Sequence, residues 1–216
     1  LVHVSAIGAN AGSPSGYSES KGEGEAAVLE AFPQAMILRP SIIFGPEDQF
    51  FNRFAAMTRF GPVLPVVGAN TRFQPVYVDD VAHAAKLGVL GTATPGIYEL
   101  GGPDVHSFRE LMQQMLEVIR RRRLILNTPF WIAMIMGGVF DFLQALSLGL
   151  FHNGILTRDQ VRNLRADNVV GEGKMGFADL GIEPTAMEAV LDDYLWPYRP
   201  GGQYSDIKAS AEHLRG

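Results

Sequence analysis

Apolar and polar positions along the chain switch between a period of two and a period of three to four, the alternation of strands with amphipathic helices. Leu1–Ser5 (LVHVS) is alternating and β-branched, which predicts a strand. A Gly/Ser/Pro loop comes next, and Tyr17–Ala31 reads as a helix with Ala26, Ala27 and Leu29 turned toward a sheet, ended by Pro33. Gly22 and Gly24 each cost that helix roughly 1 kcal/mol against Ala, which implies close backbone packing there. Gln34–Arg39 is the next strand, and Pro40, lacking an N–H, ends its ladder. Glu47–Phe60 reads as a helix whose Phe50, Phe51, Phe54 and Met57 pack between two lobes, the alternative being that they line a substrate pocket. Gly61–Gly68 is a loop with a short strand, and Thr71–Val78 a further strand. Asp79 and Asp80 then open a helix, where carboxylates accept bonds from free N–H groups and suit the macrodipole.

In the second half, Gly96–Pro103 is a strand ending in a tight turn. Ser107 caps a helix over Phe108–Ile119, with Glu110 at its third position. Arg120–Arg123 stand at its C-terminus, either as a solvated end matched to the dipole or as a docking patch for an anionic surface. Leu124–Phe151 is almost wholly apolar, with Asp141 as its one charge. A spanning helix needs about 20 uninterrupted apolar residues. Pro129, Gly137-Gly138 and Asp141 divide this stretch, which predicts a buried helical pair, the alternative being an interfacial docking surface. Leu156–Leu164 carries a Thr cap and amphipathic spacing, Phe177–Pro184 is a turn, and Thr185–Leu195 a final helix. The tail from Arg199 reads as extended, or docked on something outside the domain.

Composition narrows the chemistry. The chain has 216 residues, is 47% hydrophobic, and carries a formal net charge of −5, so no general attraction to nucleic acid is expected. Without cysteine it has no disulfides, thiolate metal sites or thiol catalysis, and its five histidines show no metal-ligand spacing.

The candidate chemistry sits at the start of the chain. Tyr17 and Lys21 are four apart and share a helix face, so an ammonium lies near a phenol and favours its ionised form. Ser5, at the end of the neighbouring strand, offers a hydroxyl to the same substrate oxygen. That trio suits carbonyl–alcohol chemistry beside a nicotinamide. The plainer reading is a Tyr packed on the sheet and a solvated Lys.

Context favours the trio. A strand ending in Ser5-Ala6, a second ending in Arg39-Pro40-Ser41-Ile42-Ile43-Phe44-Gly45-Pro46, and Gln74-Pro-Val-Tyr-Val-Asp-Asp-Val-Ala82 resemble, in that order, the second half of an extended short-chain dehydrogenase/reductase. The resemblance implies an α/β fold: the C-terminal half of a Rossmann-type doubly wound parallel sheet plus a smaller, mainly helical C-terminal lobe. Residues 1–95 would be nucleotide-binding, with 46–73 inserted toward the second lobe, and 96–216 would form the lobe and tail. A Gly-rich phosphate turn belongs after the first strand of such a fold. Gly22-x-Gly24 lies in a helix instead, so the phosphate-binding half is expected ahead of Leu1. The resemblance also implies catalytic roles for Ser5, Tyr17 and Lys21. Cofactor contacts would come from these with Ala6, and from Pro40, Ser41, Ile42 and Ile43, whose backbone would meet the carboxamide. Arg72 resembles a sugar-nucleotide phosphate ligand of some members, or is an ordinary surface Arg.

Longer strings narrow the branch. Phe32–Asp48, Asn52–Gly61, Gln74–Val78 and Leu156–Val161 resemble the nucleotide-binding accessory subunit of respiratory complex I. That implies bound NADP(H), with NAD(H) as the alternative, and a structural role without turnover. It further implies other complex I subunits as partners at the membrane interface, without a transmembrane span. The location would be peripheral, on the cytoplasmic face of a bacterial inner membrane or the matrix side of a mitochondrial one. The competing reading is an active reductase or epimerase using the same trio.

Overall fold

The computed structural model describes residues 1–146 and 156–202. The end of the long apolar segment and the tail beyond residue 202 lie outside them. A parallel sheet in the order β1-β2-β7 is the frame of the first lobe, from β1 (Val2–Val4), β2 (Met36–Pro40) and β7 (Gly96–Leu100). Met175 extends it beyond β7 with a bridge to Tyr98. The sheet therefore draws on residues past 95, where the sequence suggests the second lobe begins.

Parallel sheets are covered on both faces, and here two helices do so. Between β1 and β2 runs α1 (Gly16–Ala31), with Ser15 as its N-cap. Its buried residue is Glu25, whereas Ala26 and Ala27 are exposed, contrary to the expected apolar contact face. The reason lies across from it: Arg39 of β2 points at α1 and pairs with Glu25, so this layer is joined by charge. Gly22 does mark a close approach, since a Cβ there would collide with the Ala11 backbone nitrogen. On the opposite face Met36, Leu38, Tyr98 and Leu100 pack beneath α3 (Val78–Leu90) through Val81 and Ala84.

Between these elements lie β3 (Ile43–Phe44), α2 (Phe51–Met57), β4 (Val63–Val67), β5 (Arg72–Phe73) and β6 (Val76–Tyr77). The helix expected over Glu47–Phe60 is thus only seven residues long, because Asp48 turns the chain before it by accepting from Phe50 N and Asn52 N. The single strand expected over Thr71–Val78 is split into β5 and β6, each with a different partner.

The second lobe contains β8 (His106–Ser107), α4 (Phe108–Val118), β9 (Leu124–Thr128), α5 (Phe130–Leu146), α6 (Arg158–Asn163) and α7 (Leu191–Leu195). β4 pairs with β9 in parallel, which carries residues 63–67 into this lobe. Ser107 and Glu110 close the capping box of α4, and Thr157 and Gln160 close one on α6. Phe51, Leu64, Phe108, Leu111, Met112, Met115 and Leu191 form its core.

Other expectations need correction. Leu124–Thr128 is a strand, and α5 is one helix rather than a buried pair. Gly137 and Gly138 do not break it; they let the start of α6 approach, since a Cβ on Gly137 would meet Arg158 N at 2.9 Å. Asp79 and Asp80 open α3, but its N-cap makes no side-chain bond, and Asp80 instead accepts from Thr185 N and Oγ1 at 2.7 and 3.1 Å. Thr185–Leu195 is not one helix: a short 3-10 turn at Met187–Ala189 precedes α7. The arginine run is also less solvated than its charge suggests. Arg121 Nε donates to Tyr198 O and Arg123 Nε to Thr58 O, pinning the end of α4 to two other segments. The start of the tail docks on the chain itself, because buried Arg199 pairs with Asp192 and donates to Val118 O.

Candidate functional site

A cleft of about 520 Å³ opens at the carboxyl ends of β1 and β2, where open parallel sheets bind ligands. Ser5, Ala6, Tyr17, Pro40, Ser41, Ile42 and Ile43 all line it. Of the site residues singled out from sequence, Lys21 alone is not in the lining. Its Nζ sits 3.5 Å from Val4 O and 6.0 Å from the Tyr17 ring centroid.

The trio is electrostatically different from expectation. Burial pushes the Tyr17 phenol up, and Lys21 does not bring it down. The phenol therefore stays protonated at neutral pH and acts as a donor. Ser5 Oγ is buried without a well-formed hydrogen bond, facing the layer under α1, where His3 Nε2 is also unpartnered. It lies close enough to Glu25 to help keep that carboxylate ionised. Burial pushes the Glu25 carboxyl up, but the bidentate Arg39 fork, then Ser5 and His3, pull it below its ordinary value. Arg39 Nη1 reaches Glu99 at 3.5 Å, so this guanidinium bridges two carboxylates, Glu25 and Glu99.

The backbone after Pro40 is not free to meet a carboxamide throughout. Pro40 O accepts from Ile7 N, Ser41 N donates to Leu100 O, and Val76 N donates to Ile42 O. Ile42 N and Ser41 Oγ both donate to Asn168 Oδ1, at 3.1 and 2.7 Å. Asn168 Nδ2 meets Ile7 O at 3.5 Å. This one side chain ties the ends of both strands and forms a wall of the cleft.

Further wall residues come from α6 and the segment just beyond it: Arg162, Asn163 and Asp167. Asp159 of α6 accepts from Gly16 N, Tyr17 N and Ser15 Oγ, all within 3.1 Å, so a carboxylate occupies the N-terminus of the helix that bears Tyr17. Arg72 is held by Asp167, both side chain to carboxylate at 2.8 Å and backbone N–H, rather than directed at a phosphate. None of these lobe residues is marked by local pattern; their roles arise only when α6 folds over α1.

This arrangement, a parallel sheet with a Ser/Tyr cleft at its carboxyl edge, has the Rossmann-like fold also seen in solved epimerases and dehydratases. Solved structures agree on the fold. It is similar to dTDP-glucose 4,6-dehydratase from Bacillus anthracis (TM-score 0.59, 17% identity, 90% of this chain and 60% of that one). It is also similar to ADP-L-glycero-D-manno-heptose-6-epimerase from Helicobacter pylori (TM-score 0.57, 16% identity, 90% and 58%). Residues 9–95 match the 3-beta hydroxysteroid dehydrogenase/isomerase family. The curated proteins this chain is similar to include subunits of respiratory complex I. The chain is 37% identical to the mitochondrial NADH dehydrogenase (ubiquinone) 1 alpha subcomplex subunit 9 of Arabidopsis thaliana, over 93% of this chain and 51% of that protein. It is 29% identical to the 40 kDa subunit of Neurospora crassa NADH-ubiquinone oxidoreductase, over 100% and 55%. Ceramide reductase of Caulobacter vibrioides is 30% identical over 68% and 47%. The chain spans about half the length of the complex I relatives it matches.

Proposed function

We propose that the chain is part of a NAD(P)H-binding accessory subunit of respiratory complex I, with a structural role and no turnover. The observation that carries the cofactor reading is the convergence of Ser5, Ala6, Tyr17 and Pro40–Ile43 on one cleft. The cleft fits the nicotinamide end of a dinucleotide: it lies at the carboxyl ends of the strands, and its lining carries the hydroxyl-bearing residues Ser5, Tyr17 and Ser41. When bound, a reduced nicotinamide supplies a transferable hydride. This chain's residues would hold it, Tyr17 and Lys21 at the ribose and the Pro40–Ile43 segment at the carboxamide. NADP(H) is the form we assign.

A phenol held above its ordinary pKa, with its lysine turned to a main-chain carbonyl, supports a clamp rather than an acid/base catalyst. α5 supplies a surface for neighbouring subunits at the membrane. Trp131, Ile135, Val139, Phe142 and Leu146 recur every three to four residues, and Trp131, Phe142 and Leu146 are 66%, 65% and 68% exposed. Among the described residues no helix is long and apolar enough to cross a membrane; we read this exposed row as the face that meets neighbouring subunits.

The test uses the full-length protein. Under this reading it co-purifies with complex I, quenches or enhances NADPH fluorescence on binding, and loses affinity in Tyr17→Phe and Lys21→Met without any turnover to lose. An isolated protein that oxidises NADPH with a long-chain or small carbonyl, and stops doing so as Tyr17→Phe, overturns it in favour of an active reductase.

A further inference from the structure

Beside the proposed nicotinamide cleft lies a second cavity of about 400 Å³, and the two share Ile42 and Asn163 as lining residues. Their linings differ in kind. The cleft is bordered by Ser5, Ser41, Arg162 and Asn168, whereas the second cavity is walled by Phe50, Phe54, Phe73 and Phe108, closed by Met57 and Met136. The four rings brace one another, with Phe108 centred 5.4, 5.3 and 5.6 Å from Phe50, Phe54 and Phe73. Mutually packed rings of this kind keep their positions without a ligand to hold them apart.

Arg53, Thr128, Gln160 and Asn163 are the polar residues on the wall, and Arg53 is already engaged by a partner of its own. Asn163 Oδ1 accepts from Ser18 Oγ, and Gln160 Oε1 accepts from Thr157 N within the cap of α6. A sugar or nucleotide here would lose water from its hydroxyls and regain few hydrogen bonds, a cost of about 1–3 kcal/mol for each group left unpaired. A hydrocarbon loses nothing and gains about 0.8 kcal/mol for each buried methylene.

We infer that this aromatic cavity binds the hydrocarbon chain of a single-chain amphiphile, whose oxygenated head reaches past Ile42 and Asn163 into the polar cleft. The occupant is thus a fatty acid, alcohol or aldehyde rather than a sugar nucleotide. The chain pocket stands on its own lining; only the location of the head beside a nicotinamide rests on the cofactor reading above.

The experiment titrates the full-length protein with parinaric acid, a fluorescent polyene fatty acid, and displaces it with a long-chain alcohol or with UDP-glucose. Displacement by the alcohol and not by the sugar nucleotide is expected. Met136→Trp, which fills the mouth, should weaken binding about tenfold. Thr128→Phe, which fills the cavity from β9, should do the same, and serves if the first variant folds poorly by circular dichroism. Ile135→Ser, on the exposed row of α5 and outside the lining, should change affinity by less than about twofold. No saturable binding overturns the inference, as does competition by UDP-glucose. So does loss of binding in Ile135→Ser with retention in the filled variants, which would place the probe on the outer face of α5. NADPH fluorescence is titrated in parallel: NADPH binding without parinarate binding sinks this inference alone, and the converse sinks the cofactor reading alone.

Discussion

The carboxylate of Asp159 grips the amide of Tyr17 at 3.1 Å and that of Gly16 at 2.9 Å, the former across 142 residues of sequence. The helix that presents the phenol to the cleft therefore starts on a side chain of the other lobe. A charge at a helix N-terminus also complements the dipole, and such a cap is worth about 1–2 kcal/mol. Asp159→Ala should lower stability by that amount in urea unfolding and weaken NADPH binding several-fold, because Tyr17 loses its anchor. Asp159→Asn should recover part of both, since one oxygen still accepts.

Glu25 makes the stability of the protein depend on acid. Its carboxyl is held below the ordinary value by Arg39 despite burial, so the unfolded chain takes up a proton more readily than the folded one. The stabilisation is complete above the unfolded-state pKa and fades as pH falls through the lower folded value. Glu25→Gln should cost about 3 kcal/mol at neutral pH, leaving a half-buried Arg39 poorly paired, and should flatten the acid limb of a stability-versus-pH curve.

Asn168 is the test of how the cleft is built. Its side chain accepts from Ser41 and Ile42 and reaches Ile7 O. Asn168→Ala should cost about 1–3 kcal/mol through the donors it orphans. Asn168→Asp should retain the two accepted bonds and lose the donated one. Hydrogen exchange should locate the loosening at Ile7 and Ile42 and leave α4 protected.

Gly137 should resist any larger residue. Gly137→Ala places a methyl against the Arg158 backbone nitrogen, which cannot give way as a flexible side chain would. The expected loss is about 1–3 kcal/mol in thermal or denaturant unfolding. Gly173→Ala has no such neighbour, although its positive φ of 68° brings a strain of its own.

Local chemistry made part of this legible beforehand. The strand at Val2–Val4 and the caps at Ser107 and Thr157 rest on short-range pattern. So does the strand expected over Gln34–Arg39, although Pro40 continues its ladder opposite Leu100, while the grouping of Ser5, Tyr17 and Pro40–Ile43 rests on the family resemblance. The rest stayed hidden because it depends on partners far away in sequence. Leu124–Thr128 is a strand because Val63–Val67 is there to pair with it. Glycines that look like a helix break at 137 and 138 are a contact surface for α6. The buried face of α1 is a glutamate because an arginine stands opposite, and the lowering expected for the Tyr17 phenol fails because burial pushes it up instead.

The contact at Gly137 and the grip of Asp159 are two joints of one linkage: α5 bears on the first turn of α6, Asp141 accepts from Arg158 N at 3.2 Å, and α6 in turn holds the head of α1. The outer greasy row of α5 thus belongs to a helix that stands only two packed contacts away from the head of the helix bearing Tyr17.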